Sequence, residues 1–446
     1  MKTIAIIFTL ACCLMMFVVK RQTKAAIFIV GAMTLTLVNI PGIPLHNANY
    51  LIQVSFLLSE LPRITKLLSS FWRVPHLRNA ILIVTISAVI CVLTSPHLLT
   101  PSSEGLIFLR SELLLKYFAI CYAFWAYGSE TSIRQTLKFS LYGLLALTFF
   151  GILNAISGSS SFVNELTIGK AHIHRGDVVD IGDVYLDSDR FRVQSMFMLP
   201  FDYGYICSAV FLLHLHCFRR RIEKKSHFRI AAFCCLFGIV SCWCRIVWIS
   251  FAIAWVCYNI WTSRNSKLFA HTLLFVLFIA IAYNTIPFVQ ERIDSIADMF
   301  MEDSETEGSS MAMRREQYDA TLEHINEGKI AFGMGYGYFY NDLGWGENER
   351  VDERLAGLES VVFSYLLERG IVGLALWATF YLLIVFYLIQ NRSKYRSITG
   401  LGMSVVFLYL FFAIGTGELL SVYPTMLLLG YVFKAIEYDK LLQKAK

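Results

Sequence analysis

Three arginine sites stand out because a permanent charge is conspicuous where each occurs. They are Arg192 in "DRFRVQSM", Arg245 in "SCWCRIVWIS", and Arg314 with Arg315 in "MRREQYDATLEHI". A guanidinium is always protonated and offers a planar fork of donors that matches phosphate oxygens two at a time. Several such forks around one hollow would clamp a diphosphate and stabilise it as it leaves. Salt bridges to Asp187, Asp189 or Glu316 are the alternative use of Arg192 and Arg314. Glu359, opening "LESVVFSYLLERG", is a candidate general base or hydroxyl-orienting group. A carboxylate at a helix N-terminus also serves as a simple cap. His324 is a second candidate base, because an imidazole titrates near neutrality.

Aromatic groups accompany these charges. Tyr203, Tyr318 and Tyr336 are candidate platforms for sugar rings. Tyr336 lies in "AFGMGYGYFYNDLGWG", with glycines at 333, 335 and 337. No strand–loop–helix unit surrounds this run, so it is a poor dinucleotide loop. It reads as a turn exposing backbone N–H groups and aromatic faces, or as a plain turn.

The elements that must carry these residues are membrane helices. Of 446 residues, 56% are hydrophobic and 16% charged, against about 25% charged in soluble domains. Apolar runs long enough to cross a bilayer recur throughout. The first, "TIAIIFTLACCLMMFVV", lacks a small-residue cleavage site and reads as a span rather than a signal peptide. The fold class expected is all-α: a polytopic transmembrane bundle of 12 or 13 spans with a large, partly helical external loop. The spans fall near 3–19, 25–41, 46–62, 79–98, 111–128, 138–157, 199–217, 228–243, 246–262, 267–287, 360–390, 398–416 and 420–436.

Charge placement orients them. Basic clusters at 63–78, 219–229 and 392–396 and the tail "KLLQKAK" belong on the cytoplasmic side by the positive-inside rule. The net charge of +6 is thus spent at membrane edges, and no free basic domain exists to hold nucleic acid. The chain divides into N-terminal spans (1–157), a first outer loop (158–198), central spans (199–287), a large outer loop (288–359) and C-terminal spans with a basic tail (360–446). All eleven cysteines lie in or beside apolar runs and read as buried thiols.

Arg245 is the one charge between Arg229 and Arg264. From Ile230 to Trp261 a single helix would be about 48 Å long, whereas the hydrocarbon core needs roughly 30 Å. Both ends carry cytoplasmic clusters, so the stretch is two short spans turning near Cys244, at 243–246. That puts Arg245 on the floor of an outward-facing cavity, where ionisable groups are costly and usually functional. The alternative is snorkelling to headgroups. In the C-terminal part, Glu368, Arg369 and Gly370 break the apolar run. Residues 359–369 are then a short surface helix, and the span starts near Ile371.

These elements together resemble the O-antigen ligase and O-antigen polymerase superfamily of bacterial envelope glycosyltransferases, from about Arg190 to Trp377. The resemblance rests on "RFRVQSMFMLPFDYGY", the Arg of "CRIVWIS", "MRREQY" followed by "GMGYGYF", and "LESVVFSYLLERGIVGLALW". It implies a multi-pass inner-membrane enzyme of GT-C character that uses no metal and no cofactor. The donor and acceptor it implies are glycans on undecaprenyl pyrophosphate, with membrane lipid around them; a chain-length regulator is left open as a partner. Arg245, Arg314 and Glu359 become the catalytic candidates, and Arg192, Arg315, Tyr318, Tyr336, Tyr203 and His324 the substrate-binding ones. Ligases of the family typically carry His-Asn where this chain has Glu359-Ser360. That departure favours a polymerase, with a ligase as the alternative. A transporter is the distant third, because chemistry gathers at one face and no internal repeat is found.

Overall fold

In a bilayer every backbone polar group must be satisfied internally, so long apolar runs fold as helices. The computed structural model describes residues 2–35, 48–95, 113, 116–127, 130–158, 171–174, 177–180, 192–197, 199–263, 311–325, 329–336, 338, 352–355, 360–417 and 421–444. Helices α1 (Lys2–Val18), α2 (Arg21–Thr34), α3 (Ala48–Glu60), α4 (Ile64–Trp72) and α5 (Pro75–Leu93) come first. Then follow α6 (Ala119–Ala126), α7 (Glu130–Ser157), α8 (Pro200–Arg219), α9 (Lys225–Ser241) and α10 (Arg245–Thr262). Last come α11 (Met311–Ile325), α12 (Val361–Thr416) and α13 (Val422–Lys444). A small antiparallel hairpin, Ala171–His174 with Asp177–Asp180, lies between α7 and α8.

The chain is an all-α, multi-pass membrane protein. Among the described residues, five helices are long and apolar enough to span a bilayer: α5, α8, α10, the stretch Thr131–Ser157 of α7, and the 56-residue α12. The expected span at 267–287 lies outside the described residues. α12 is bent twice, at Gly370 (φ 61, ψ −168) and at Tyr395 (φ −122, ψ 40), giving a short helix, a long leg and a second leg that returns. The first bend falls at the Glu-Arg-Gly break expected from sequence.

α8 is the central helix: from Pro200 to Cys217 only Phe201 escapes burial. α10 runs antiparallel to the returning leg of α12. At one end Trp261 and Thr262 press on Gly400, and at the other Ile246 presses on Gly415. Large side chains left exposed, such as Phe149, Ile156, Phe233, Leu382 and Phe386, face outward, as suits a lipid environment.

Two ends of the bundle differ in charge. At the basic end Arg219 donates to Asn259 (2.8 Å), Arg392 lies 4.4 Å over the Trp261 ring, and Arg396 donates to the Trp261 carbonyl (2.8 Å). The buried Lys24–Glu60 pair (2.9 Å) belongs there too, with the Trp125 indole on the second carboxylate oxygen (2.9 Å). The opposite end carries the candidate site.

Candidate functional site

The Arg245 turn is tight. α9 stops at Ser241 and α10 starts at Arg245, so three residues reverse the chain. Trp243 adopts φ 54, a left-handed conformation uncommon for a bulky residue. Cys244 is extended and precedes the first helical residue, Arg245. The turn is held by the Trp248 indole donating to the Ile239 carbonyl at 2.6 Å. The segment before α8 lies beside it: Val193 N donates to Ser241 O at 3.1 Å. Arg192 therefore adjoins the turn whose last residue leads into Arg245, and both arginines are half-buried.

Arg314 reaches the same end from the large loop. Its Nη2 donates to the carbonyl oxygen of Gly415 at 2.8 Å. Gly415 is the glycine against which Ile246 packs, since a Cβ there would lie 2.6 Å from Ile246 Cγ1. One chain of contacts thus links all three arginine sites: Val193 to Ser241, Ile246 to Gly415, Gly415 to Arg314. Arg315, next along α11, points outward and is exposed.

The other candidates divide. Tyr318 is 42% exposed, with its ring 5.9 Å from Phe363 on the short helix of α12. It presents a free face at the site. Tyr203 does not: it is 0% exposed and stacks on Phe197 at 6.0 Å. Its place as a sugar platform is corrected to a core packing role. The hydrocarbon walls around α8 leave no face for a ring. Glu359 lies outside the described residues. Ser360, buried beside it, caps α12 by accepting from Val362 N at 3.3 Å.

The glycine run serves backbone packing. Met334 N donates to Leu367 O (2.8 Å), Gly335 N to Glu368 O (3.0 Å) and Tyr336 N to Cys91 O (3.1 Å). In return Ile371 N and Val372 N donate to Ile330 O and Ala331 O, each at 3.0 Å. Ser95 Oγ closes the junction on the Tyr336 carbonyl. Gly333 (φ 71) and Gly335 (φ 87) take left-handed conformations. A Cβ at 333 would meet Gly370 N at 2.6 Å, and one at 335 would meet Ser95 N at 2.6 Å. Hence, for its described residues, the expectation that this run exposes its N–H groups is corrected: those of Met334, Gly335 and Tyr336 are spent on α5 and on the segment before the Gly370 bend. Tyr336 is half-buried at that junction.

His324 sits in a polar lash across the loop. Its Nδ1 is 3.1 Å from the Tyr338 hydroxyl and its Nε2 3.2 Å from Asp352 Oδ2. Arg354 bonds Asp352 Oδ2 (2.9 Å) and Glu323 (2.7 Å). Hydrogen bonding from Arg354 holds the Asp352 carboxyl below its usual range, with the bond to His324 acting in the same direction against partial burial. Arg354 also lowers Glu323 and is itself raised. Under this lash Ala320, Ile325, Leu355 and Leu367 form a small core that seats α11 on α12. Asp352 and Arg354 were not legible as partners, because 28 residues separate Asp352 from His324.

Arg369 was also missed, having been read only as part of the break. It is 3% exposed, with its guanidinium carbon 4.0 Å over the Tyr365 ring, immediately before the Gly370 bend. It is a buried cation on the short helix that carries Phe363. The signal available was its charge within an otherwise apolar run.

Fold and site together define a multi-pass membrane protein with an arginine-rich end opposite its basic end. Residues 230–378 match the family model described as O-antigen ligase. The match covers part of the chain and supports a likeness to the O-antigen ligase and polymerase superfamily, without separating its two branches. It takes in Arg245, Arg314, Arg315, Tyr318, His324, Tyr336 and Glu359, and leaves Arg192 and Tyr203 outside. No curated protein matches the chain.

Proposed function

We propose that this chain is an inner-membrane glycosyltransferase that polymerises oligosaccharide repeat units carried on undecaprenyl pyrophosphate, at the periplasmic face. The product is an O-antigen, capsule or exopolysaccharide chain. The observation that carries this reading is the contact chain through Gly415 that links Arg314 to the helix end bearing Arg245. Guanidinium groups from separate elements of a membrane protein suit a multiply charged phosphate leaving group.

In this scheme Arg192, Arg245 and Arg314 hold the donor diphosphate. A terminal hydroxyl oxygen of the acceptor unit attacks the donor's anomeric carbon from the opposite side, and the bond from that carbon to the diphosphate oxygen breaks. The electron pair departs on undecaprenyl pyrophosphate, whose charge the guanidinium groups neutralise. The hydroxyl proton passes to Glu359 as base. Tyr318, exposed beside Phe363, is the aromatic face available to a sugar ring.

A ligase, which passes finished polymer to lipid A-core, is the second reading. It is favoured by His324, an imidazole already oriented by Asp352 at 3.2 Å in the outer loop. The carrier-lipid pool of a deletion strain distinguishes them. Loss of a polymerase leaves single repeat units on undecaprenyl pyrophosphate; loss of a ligase leaves full-length polymer there. A normal pool would defeat both readings.

A further inference from the structure

A cavity of about 410 Å³ opens at the basic end, away from the site above, between α7, α8 and α13. Its lining gathers Arg134, Arg220, Arg221 and Lys434, and the one carboxylate among the described lining residues is Asp439. Neither Arg220, Arg221 nor Lys434 takes part in any ion pair among the described residues; Lys434 rests 4.9 Å from the Phe124 ring centre.

The turn that presents these arginines is built and fastened. α8 closes with Arg221 N donating to Phe218 O and Ile222 N to Cys217 O, both at 2.9 Å. Arg221 itself holds φ 58, a conformation that persists only where its surroundings over-determine it. Arg134 supplies that constraint from α7, its Nη1 donating to the Ile222 carbonyl at 3.0 Å.

A second cavity on the same face differs in kind. It is lined by Lys20, Arg21, Lys24 and Arg63, but the protein already answers those charges. Glu60 takes Lys24 at 2.9 Å and Arg63 at 3.6 Å, and Arg21 is committed to the Trp125 carbonyl and ring. In the first cavity the lining cations outnumber Asp439 four to one, and Glu437 acts on Lys434 only through space. Several cations converging on one hollow with too few acids to match them call for an anion from outside.

We propose that this cavity binds a phosphate group, gripped by Arg220, Arg221 and Lys434. Guanidinium forks favour phosphate oxygens, and about 410 Å³ is ample for a phosphate with its ester substituents. Basic hollows between membrane helices are where anionic headgroups are recognised, and Tyr127, Tyr431 and Tyr438 in the lining suit the membrane interface. The phosphate can belong to an anionic phospholipid headgroup or to a soluble phosphate compound.

The test uses the full chain in dodecylmaltoside micelles, with thermal unfolding followed by tryptophan fluorescence. The probes are added phosphatidylglycerol, phosphatidylcholine, or millimolar inorganic phosphate. A specific site raises the unfolding midpoint by mass action, by roughly 2–4 °C. A rise with phosphatidylglycerol but not phosphatidylcholine or inorganic phosphate assigns the headgroup; an equal rise with inorganic phosphate assigns a soluble ligand. In either case R220Q and K434Q lose most of the rise, while R63Q, which removes a cation of the other cavity, retains it. Arg220 is exposed and its side chain makes no hydrogen bond among the described residues, so R220Q tests the site without disturbing the packing. No rise with either anion, or an equal rise in R220Q and K434Q, would overturn the proposal.

Discussion

Arg314 Nη2 donates to the carbonyl oxygen of Gly415 at 2.8 Å. That bond ties helix α11 to the returning leg of α12, and Ile246 packs on the same glycine from the start of α10. The bond orients a guanidinium that carries several donors. Arg314→Ala removes both the orientation and the charge. If the chain is the polymerase proposed above, long-chain polymer falls by about 10²–10³ in rate, as for loss of a transition-state donor, with the protein still present in the membrane. Arg314→Lys and Arg245→Lys should recover little, because an ammonium is a point charge without the fork. Wild-type chain lengths in these variants, read on a gel of the surface glycan, would remove the arginines from the mechanism.

Gly415 makes a prediction of its own. A methyl group there would meet Ile246 Cγ1 at 2.6 Å, so the Ile246 side chain must shift or α10 and α12 must part at the end that bears Arg245. Overpacking of this kind costs about 1–3 kcal/mol. Gly415→Ala is expected to lower both the unfolding midpoint and polymer synthesis. Shortening the opposing side chain, in the pair Gly415→Ala with Ile246→Ala, should restore part of each. A double variant worse than the sum of its parts would show that Ile246 and Gly415 do not share this space.

How much of this was legible in the sequence depends on whether the constraint is local. The turn before Arg245 was legible, because a largely apolar stretch of 32 residues bounded by basic clusters is too long for one crossing. The bend at Gly370 was legible too, since Glu368 and Arg369 interrupt an apolar run beside a glycine. The partners of Gly333 and Gly335 were not. A glycine can mark a turn, a ligand cradle or a close backbone approach, and only the fold reveals that Ser95 and Gly370 lie against these two. Tyr203 was misread for a similar reason, since a tyrosine beside a span start looks the same whether it faces a cavity or the core. Gly415 gave no sign at all: its role depends on a helix some 170 positions upstream in the chain.

The glycine run yields a comparison between two left-handed glycines. At Gly335 (φ 87) an added Cβ meets the Ser95 backbone nitrogen at 2.6 Å; at Gly158 (φ 59) nothing lies within 4 Å. Gly158→Ala therefore incurs the conformational cost alone, about 1–2 kcal/mol. Gly335→Ala adds a clash with backbone that no rotamer change relieves, and should release the 330–336 segment from α5. Limited proteolysis of membrane-embedded protein checks this: rapid cleavage in Gly335→Ala and near-normal resistance in Gly158→Ala are expected. Equal behaviour would mean that the clamp against Ser95 does not secure the loop.

The lash at His324 predicts how the outer loop responds to acid. Asp352 is held below its usual range chiefly by Arg354. A carboxylate depressed in the folded state contributes stability that is complete above its unfolded value, about 3.9, and is lost as pH falls through its lowered value. Glu323, lowered by the same arginine, changes in the same direction. Protection of the α11 amides against hydrogen exchange, corrected for intrinsic rates, should thus hold level between about pH 7 and 5 and decline below about pH 4. Asp352→Asn should begin with less protection and show a shallower decline, because the titrating group is gone while Arg354 retains only Glu323. A wild-type loop whose protection persists undiminished at pH 3 would mean that hydrophobic contact through Ala320, Ile325 and Leu367, and not the ion pairs, seats α11 over the site.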